Sequence, residues 1–476
     1  NPKQSSISTM TTVITTTTLG MVSMLLLSLG ELTYTVAHTT TPPGHGLATS
    51  VDDWDWSKTH TWALINTNGL MGAAGLLSDY QARFYATTYD IVGVGGTFGE
   101  ACNKTHACHG EAAQAATAKQ LKDINPNVKV IIYRNSALNI DGQLQATIEF
   151  DKHPEWLLRN TSGQPIDSPT QQWFDFTNED CRNWWINSTI DALTDVYTVN
   201  GSVIDGVFID GGGDVPEVIF DYAHLPPGKP VALNASHALA VRELTARVHA
   251  LRPGMFTVGN GAVMNECGRL VNETMDWQPC ARNLDGLDGA CAEHFGSFGS
   301  VNTTSGNFNQ IDPNSGGRLD MEMWGDALDI VQRYPSPTPK AILVKAWPGP
   351  FDVYKVDGRT VVGTWKNFSD HNITLTNTMK KEHGAAALAW SHAAYLLTVA
   401  PGSYMSYAWW YQSNTGYVPC PEAPTSCACP DDWYPDLKKA TGKPLGPRTR
   451  VAGGTGHMWS RVFEQVSVTV DLGNFS

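Results

Sequence analysis

Short apolar runs alternate with amphipathic segments along most of this chain. Eight runs of five to seven residues have the length of buried strands, and they lie at 62–67, 90–95, 128–133, 205–210, 256–260, 289–293, 341–347 and 403–409. Segments with helical periodicity lie between them at 111–124, 181–197, 236–251, 321–334 and 379–397. Pro126, Pro253 and Pro335 follow three of these segments and end them. The pattern predicts repeated strand–helix units.

Eight strands alternating with helices predict an α/β fold, a (β/α)8 TIM barrel. The alternative is an open, doubly wound sheet, which usually carries a GxGxxG loop after its first strand. The glycine-rich segments 66–75 and 93–100 lack that spacing. Beyond the last strand, 419–437 is rich in proline and cysteine, and 458–472 ends in the strand-like alternation VSVTVDL. We therefore expect a short C-terminal β extension packed on the barrel.

The N-terminal segment has the features of a leader. Its apolar run at 19–30 is shorter than the about 20 apolar residues that span a bilayer, and it resembles the hydrophobic region of a secretory signal. The predicted organisation is a signal peptide or non-mature leader at 1–37, a linker at 38–53, a catalytic barrel at 54–440 and the extension at 441–476. An uncleaved anchor is the alternative. After cleavage, we expect no stable membrane span.

Two further features favour the secretory pathway. Asn-x-Ser/Thr sequons, the acceptors of N-linked glycans, begin at Asn103, Asn160, Asn187, Asn200, Asn234, Asn272, Asn302, Asn367, Asn372 and Asn474. Nine cysteines suit the same oxidising compartment, where disulfides form. Cys102, Cys108 and His109 would also suit a metal site, but no second ligand pair accompanies them, so we expect disulfides of open connectivity. The sequence thus predicts a secreted or lumenal, N-glycosylated protein whose oligomeric state stays open.

The composition narrows the class of partner. Charged residues make up 16% of the chain and the formal net charge is -14. Nucleic acid is therefore excluded as a partner, because phosphate binding needs a concentrated basic surface. The chain has 16 tryptophans, and tryptophans that are not in the core commonly line carbohydrate clefts. The expected partner is a glycan.

Two strands end on a carboxylate in the same frame. VIDGVFIDGGGD at 203–214 ends its apolar run on Asp210, and LDGACAEHF at 287–295 ends its run on Glu293. A buried carboxylate is costly unless it is paired or used. Reactive groups of TIM barrels lie at the C-terminal ends of strands, and alternate strands contribute to the same interior layer. Strands four and six are thus expected to bring the two carboxyls to about 5–9 Å, the range used in glycosidic bond cleavage.

The surroundings of the two acids predict different roles. The glycines at 211–213 offer backbone N–H groups that would keep Asp210 ionised, as a nucleophile or base. Glu293 has more apolar neighbours, which would raise its pKa and suit a general acid. Asp205 and Asp288 begin the same strands at the opposite end of the barrel, where caps or salt bridges are expected. Asp214 is an alternative acid beyond the glycines.

Other strand ends supply candidate sugar-binding side chains. They are Asn66, Arg134, Asn135, Asn260, Lys345, Trp347 and Trp409. Asparagine and arginine suit sugar hydroxyls, and tryptophan suits the face of a sugar ring. Neither GxSxG nor HExxH occurs, so serine-hydrolase and zinc-protease chemistry are excluded, and no cofactor or metal is expected.

At these motifs the chain resembles a known group. VIDGVFIDGGGD, VGNGAVMNE (258–266), GLDGACAEHF (286–295) and the segment from YPDL to VSVTVDL (434–472) resemble the hypothetical glycosyl hydrolase group, TIM-barrel proteins related in fold to the endo-α-1,4-polygalactosaminidase and α-galactosidase families. The resemblance covers most of 54–472. It implies a catalytic aspartate after strand four, here Asp210, and an acid after strand six, here Glu293.

Two functions follow from these observations. The first is a secreted glycoside hydrolase of oligo- or polysaccharides, with the sugar, its linkage (including an α-linkage) and the retaining or inverting outcome left open. The second is a non-catalytic, lectin-like or cell-wall barrel that has kept the cleft. The presence of both acids favours the enzyme.

Overall fold

The structure is a computed structural model. It describes residues 54–65, 77–95, 110–139, 144–168, 171–194, 204–213, 225–252, 254–261, 269–271, 274–276, 284, 286–295, 340–346, 352–354, 361–364, 377–407, 418–419, 428–429, 437–453 and 458–472. The leader and linker predicted at 1–53 lie outside the described residues, so both stay predictions.

Eight parallel strands form one sheet whose order around the barrel follows the chain. They are β1 (Trp62–Ile65), β2 (Ile91–Val94), β3 (Lys129–Asn135), β4 (Gly206–Asp210), β5 (Phe256–Asn260), β6 (Gly289–Phe295), β7 (Ala341–Ala346) and β8 (Ser403–Tyr407). A parallel bridge between Thr61 and Met405 joins the last strand to the first. The predicted TIM barrel is confirmed, and each of the eight predicted runs overlaps one of these strands, although β3 and β6 each extend two residues past the predicted run.

The described α-helices follow the strands in the expected alternation. They are α1 (Asp79–Thr88), α2 (Gly110–Ile124), α3 (Leu144–Phe150), α4 (Glu179–Leu193), α5 (Lys229–Leu251) and α6 (Asn377–Thr398). Four of them match predicted helices, although α5 begins at Lys229 rather than at 236, and the helix predicted at 321–334 lies outside the described residues. No helix in the described part of the chain is long and apolar enough to cross a bilayer.

Helix α1 was not predicted, although its N-terminus carries a local signal. Ser78 accepts a hydrogen bond from the backbone of Gln81, and the Gln81 side chain accepts one from the backbone of Ser78. This reciprocal capping box satisfies two backbone N–H groups that the first helical turn leaves without partners. The S-x-x-Q spacing at 78–81 is therefore the feature that could have located this helix.

Small antiparallel elements decorate the barrel. Among the described residues they are the strands Leu138–Asn139, Asp167–Ser168 and Gln171–Trp173 in one sheet, and the hairpins Arg269–Val271 with Thr274–Asp276, Asp352–Tyr354 with Val361–Thr364, and Val418–Pro419 with Ala428–Cys429. The C-terminal extension has three strands, β9 (Thr449–Arg450), β10 (Met458–Val462) and β11 (Ser467–Asp471). Arg461 donates hydrogen bonds to carbonyls at the end of α6, so the predicted extension packs on the barrel.

A column of aromatic rings fills the barrel interior. Trp62 on β1 stacks on Phe208 on β4 with ring centroids 5.8 Å apart, and Tyr133 on β3 stacks on the same Phe208 ring with centroids 6.1 Å apart. All three side chains are buried. Because residues two apart on a strand share a face, Asn135 and Asp210 continue the same inward-facing rows toward the C-terminal mouth.

Three aspartates close the opposite end of the barrel, and we call Asp90, Asp205 and Asp288 the foot carboxylates. Each stands immediately before an even-numbered strand. Asp205 and Asp288 each accept a backbone N–H from the preceding odd-numbered strand at 2.8 Å, and Asp90 accepts that of Thr61, immediately before β1, at 2.9 Å. A lysine or histidine also contacts each one. The capping and salt-bridge roles expected for Asp205 and Asp288 are therefore observed.

Candidate active site

Asp210 is the centre of a hydrogen-bonded cluster at the barrel mouth. The Tyr133 hydroxyl donates to Oδ2 of Asp210, and the Asn135 amide donates to the same oxygen at 3.1 Å. The Asn260 amide donates to Oδ1 at 2.8 Å. The carboxylate is partly exposed at the end of β4, between donors from both neighbouring strands. Three donors on one carboxylate favour its ionised form.

The strand register explains why these donors meet at Asp210. Tyr133 pairs with Phe208 and Asn135 pairs with Asp210 between β3 and β4. Tyr133 and Asn135 share one face of β3 because they are two residues apart. Their hydrogen bonds to Asp210 show that this face points into the barrel. Tyr133 was not among the predicted site residues, although counting back two positions from Asn135 would have found it.

The two asparagines are oriented by the main chain. Oδ1 of Asn135 accepts from the backbone of Ala137 at 2.8 Å and of Leu138 at 2.7 Å. Oδ1 of Asn260 accepts from the backbone of Gly261 at 3.0 Å. These bonds direct both amide N–H groups at the carboxylate. The geometry therefore brings Asn135 and Asn260 into the site as holders of Asp210, and direct contact of either with a sugar stays a prediction.

The backbone of Asp210 is anchored as well as its side chain. The backbone N–H and the hydroxyl of Ser136 donate to the Asp210 carbonyl at 2.9 and 2.8 Å. His237 on α5 bonds the same hydroxyl through Nε2 at 2.9 Å. Burial lowers the pKa of His237 to about 4, so the ring is neutral near pH 7. Since the Ser136 hydroxyl donates to a carbonyl, Nε2 must carry the proton that it gives to Ser136.

The glycines after Asp210 do a different job from the one predicted. Gly212 N–H donates to the Ile209 carbonyl, and Gly213 N–H donates to the Asn260 carbonyl, so neither serves the carboxylate. Gly211 takes a φ of 71°, a left-handed conformation that favours glycine. A Cβ on Gly212 would lie 2.7 Å from the Cα of Gly259. The glycines turn the chain tightly against β5, and side chains supply the hydrogen bonds to Asp210.

Glu293 lies on β6, two strands beyond Asp210. Asn260 neighbours Asp210 on β5 and is the register partner of Cys291 on β6. The strands of a TIM barrel are tilted, so the residue at the same height on the next strand is not the register partner but lies about one position away from it. The bridge between Thr61 and Met405, which closes the barrel, shows that this offset is toward the C-terminal end of each strand. The residue level with Asp210 is then two positions past Cys291, which is Glu293. The backbone thus agrees with the predicted equal height, and the carboxyl separation stays a prediction.

Arg134 is placed elsewhere than predicted. Its neighbours Tyr133 and Asn135 face inward, so Arg134 faces the helices. Its Nη2 donates to the Ser188 hydroxyl at 2.5 Å, and its guanidinium lies 5.8 Å from the centre of the Trp184 ring, both on α4. Arg134 therefore packs in the barrel wall. The correction follows from strand geometry, because adjacent residues cannot both face the mouth.

The remaining predicted residues divide into two groups. Lys345 lies on β7 and is buried at 2% exposure. It shares a face with Leu343, the register partner of Cys291, and so belongs to the inward row. Asn66, Trp347 and Trp409 lie outside the described residues, and contact of all four with a glycan stays a prediction. Among described residues, no group of three or more His, Cys, Asp or Glu side chains is arranged to hold a metal ion.

Comparison with solved structures finds glycoside hydrolases at low similarity. An alpha-amylase from Geobacillus thermoleovorans has a TM-score of 0.42 and 10% identity, covering 88% of this chain and 87% of that one. An alpha-amylase from Lactobacillus plantarum has a TM-score of 0.41 and 13% identity, covering 87% and 97%. The galactosidase domain of alpha-galactosidase-sucrose kinase, AgaSK, has a TM-score of 0.39 and 12% identity, covering 85% of this chain and 45% of that one. All three TM-scores are below 0.5.

The family of this chain is shown by a family model and not by any single protein. None of the curated protein sequences compared with this chain is significantly similar to it. The model of one family matches residues 122–467, which include β3 to β8, Asp210 and Glu293. The matched segment is well over half of the 476 residues. The chain therefore belongs to the hypothetical glycosyl hydrolase family 15.

Proposed function

We propose that this protein hydrolyses O-glycosidic bonds, with Asp210 as its anionic catalytic carboxylate and Glu293 as its general acid. One observation carries the proposal. Asp210 stands at the C-terminal end of β4, the end at which TIM barrels do their chemistry, and three side-chain donors hold it. Membership of a glycosyl hydrolase family supports the reaction class.

The chemistry needs two carboxyl groups in different protonation states. The transition state of glycoside hydrolysis has oxocarbenium character, and a fixed anion beneath the sugar stabilises its positive charge. Asp210 serves as that anion, either attacking the anomeric carbon or activating a water. Glu293 gives its proton to the leaving oxygen. The backbone position of Glu293 on β6, level with that of Asp210 on β4, supports this pairing.

The charge of the chain narrows the substrate class. A formal net charge of -14 disfavours the approach of an acidic polysaccharide. We therefore propose a neutral or basic oligo- or polysaccharide. The linkage is found by screening α- and β-linked glycans and matched aryl glycosides, and the anomeric form of the first product, read by NMR, shows retention or inversion.

The test compares Asp210→Asn and Glu293→Gln with Asp191→Asn, an exposed aspartate on α4. General acid–base catalysis contributes about 10²–10⁴-fold, so each site variant should lose at least that much turnover on an unactivated glycan. On an aryl glycoside with a good leaving group, Glu293→Gln should recover part of its rate, since little protonation is needed, while Asp210→Asn should not. Near-normal turnover in either variant removes that residue from the mechanism. Glycan binding without turnover in the wild type would favour the lectin-like alternative.

We also propose that the protein passes through the secretory pathway and carries an N-linked glycan at Asn160. The sequon at 160–162 lies in a turn whose Thr161 and Ser162 are exposed. The side-chain oxygen of Asn160 accepts from the backbones of Ser162 and Gln164, and its amide nitrogen takes part in neither bond. A bulky glycan needs such an exposed position.

Two other described sequons lie within helices. Asn187 is on α4, and the hydroxyl of its sequon partner Thr189 is fully buried against the Trp185 carbonyl. Asn234 lies within α5. After secretion from a eukaryotic host, Asn160→Gln should remove one glycan by intact mass, and Asn187→Gln should leave the mass of the glycans unchanged. An unmodified Asn160 in the secreted protein contradicts the assignment.

A further inference from the structure

We propose that Tyr133 is a positioning residue that holds Asp210 ionised through its phenolic hydrogen bond and so sets the acidic limit of the reaction. The inference rests on the proposed catalytic role of Asp210. It assigns a task to a residue that sequence patterns alone placed in the barrel core.

The phenol cannot easily turn away from the carboxylate. Its ring is buried at 7% exposure and stacks on Phe208 at 23° between ring planes, so the side chain is held in one orientation. The Asn135 amide donates to the phenolic oxygen at 3.2 Å. Because that oxygen accepts from Asn135, its own proton is left to point at Oδ2 of Asp210.

All three side chains around Asp210 present protons to it. A carboxyl that took up a proton of its own would lose its negative charge and one acceptor position, so the donors of Tyr133, Asn135 and Asn260 would bind it less strongly. The amide donors are locked by backbone contacts, as described above. The phenol is the third donor, and charge-assisted bonds of this kind are roughly twice as strong as neutral ones. Removing the phenol should therefore make protonation of Asp210 easier.

The first experiment needs no substrate. Aspartate is labelled with ¹³C at the carboxyl carbon, the signal of Asp210 is assigned from its loss in Asp210→Asn, and its titration is followed by NMR. In Tyr133→Phe the midpoint should move to higher pH by about one unit, the size expected for one lost charge-assisted hydrogen bond. Tyr395→Phe is the matched control. It removes another buried tyrosine hydroxyl, one that donates to the Ser403 carbonyl, and should lower the melting temperature without moving the Asp210 titration.

A second variant guards against a folding defect in Tyr133→Phe. Incorporation of 3-fluorotyrosine at 133 keeps the ring and strengthens the donor, so the midpoint should move to lower pH. With an active glycan in hand, the acidic limb of kcat/KM against pH should shift in the same directions, because that limb reports ionisation of the free enzyme. Unchanged midpoints in both variants overturn the inference.

Failure of this inference is distinguishable from failure of the proposed function. If Asp210→Asn is inactive and the Tyr133 variants leave the titration of Asp210 unmoved, Tyr133 has a packing role and the catalytic assignment stands. If Asp210→Asn retains turnover, the catalytic assignment is wrong, whatever the titration shows. A shift of the titration midpoint without any shift of the kcat/KM limb would also overturn the inference, since Tyr133 would then not set the acidic limit.

Discussion

Asp205 and Asp210 lie at opposite ends of β4. We expect substitution of Asp205 to change only the stability of the fold, because catalysis is proposed to depend on Asp210. Asp205 is 14% exposed and accepts the backbone N–H of Val130 at 2.8 Å. Lys122 pairs with it at 2.7 Å. Asp205→Ala removes both contacts. Asp205→Asn keeps an oxygen for Val130 and removes the charge.

The structure gives different costs for the two changes. Val130 is fully buried, and an N–H left without a partner there costs about 1–3 kcal/mol. Loss of the partly buried pair with Lys122 adds about 1 kcal/mol. Asp205→Ala should therefore lower the free energy of unfolding by about 2–4 kcal/mol, and Asp205→Asn by about 1 kcal/mol. Because about five strand residues separate it from Asp210, or roughly 16 Å, neither change should alter kcat/KM at temperatures where the fold persists.

The assay is urea unfolding followed by tryptophan fluorescence and by circular dichroism, with kcat/KM measured on the same preparations. Lys122→Met removes the nearest charge partner of Asp205 and leaves Lys129 and Arg252 at 3.9 and 4.0 Å, so it is the matched control, with an expected cost no greater than that of Asp205→Asn. Equal losses for Asp205→Ala and Asp205→Asn would refute the reasoning, because the bond to Val130 would then contribute nothing. A fall in kcat/KM of the folded Asp205→Ala protein would show that the two ends of the barrel are coupled.

Two further predictions concern the support of the site. Burial lowers the pKa of His237 to about 4 in the folded protein, whereas a histidine of the unfolded chain titrates near 6.5. As the pH falls, the unfolded state therefore takes up this proton first. The free energy of unfolding should fall by about 3 kcal/mol between about pH 6.5 and pH 4. His237→Gln, which keeps a donor for Ser136, should abolish that part of the pH dependence in urea unfolding measured across this range, and an unchanged slope would contradict the role of His237. Gly212→Ala should lower both the melting temperature and the turnover, because its Cβ would lie 2.7 Å from the Cα of Gly259. The control is Gly446→Ala, whose Cβ would meet nothing within 4 Å and which should change neither quantity. Similar behaviour of the two variants would contradict the close packing of β4 on β5.

The sequence predicted the strands that carry the site better than the side-chain contacts within it. The apolar runs located all eight strands, and the residues at or just after their ends include Asp210, Asn135 and Asn260. These residues could be predicted because the C-terminal ends of all strands of a TIM barrel meet at the mouth that holds the active site. Tyr133 was missed because an aromatic residue inside an apolar run looks like core. Alternation along β3 puts Arg134 on the face opposite to Tyr133 and Asn135, so the end of an apolar run alone does not place it at the mouth.

Other features depended on backbone geometry that composition does not reveal. The glycines at 211–213 were expected to donate to Asp210, yet two of their N–H groups turn to main-chain carbonyls once Gly211 adopts its left-handed conformation. His237 lies on α5, about a hundred residues after the Ser136 that it bonds, and nothing local to either residue signals that contact. Long-range polar contacts of this kind arise from the closed sheet and its helices rather than from any motif.

The foot carboxylates also divide the barrel into pairs of strands. Asp90 fastens β2 to β1, Asp205 fastens β4 to β3, and Asp288 fastens β6 to β5, so in this part of the chain every fastening lies within one pair of consecutive strands. A cut between β4 and β5 leaves each fastening inside a single fragment, whereas a cut between β3 and β4 separates Asp205 from its partner. Fragments of the first kind should reassociate more tightly than fragments of the second, and strand pairs are the natural units for exchange with other barrels.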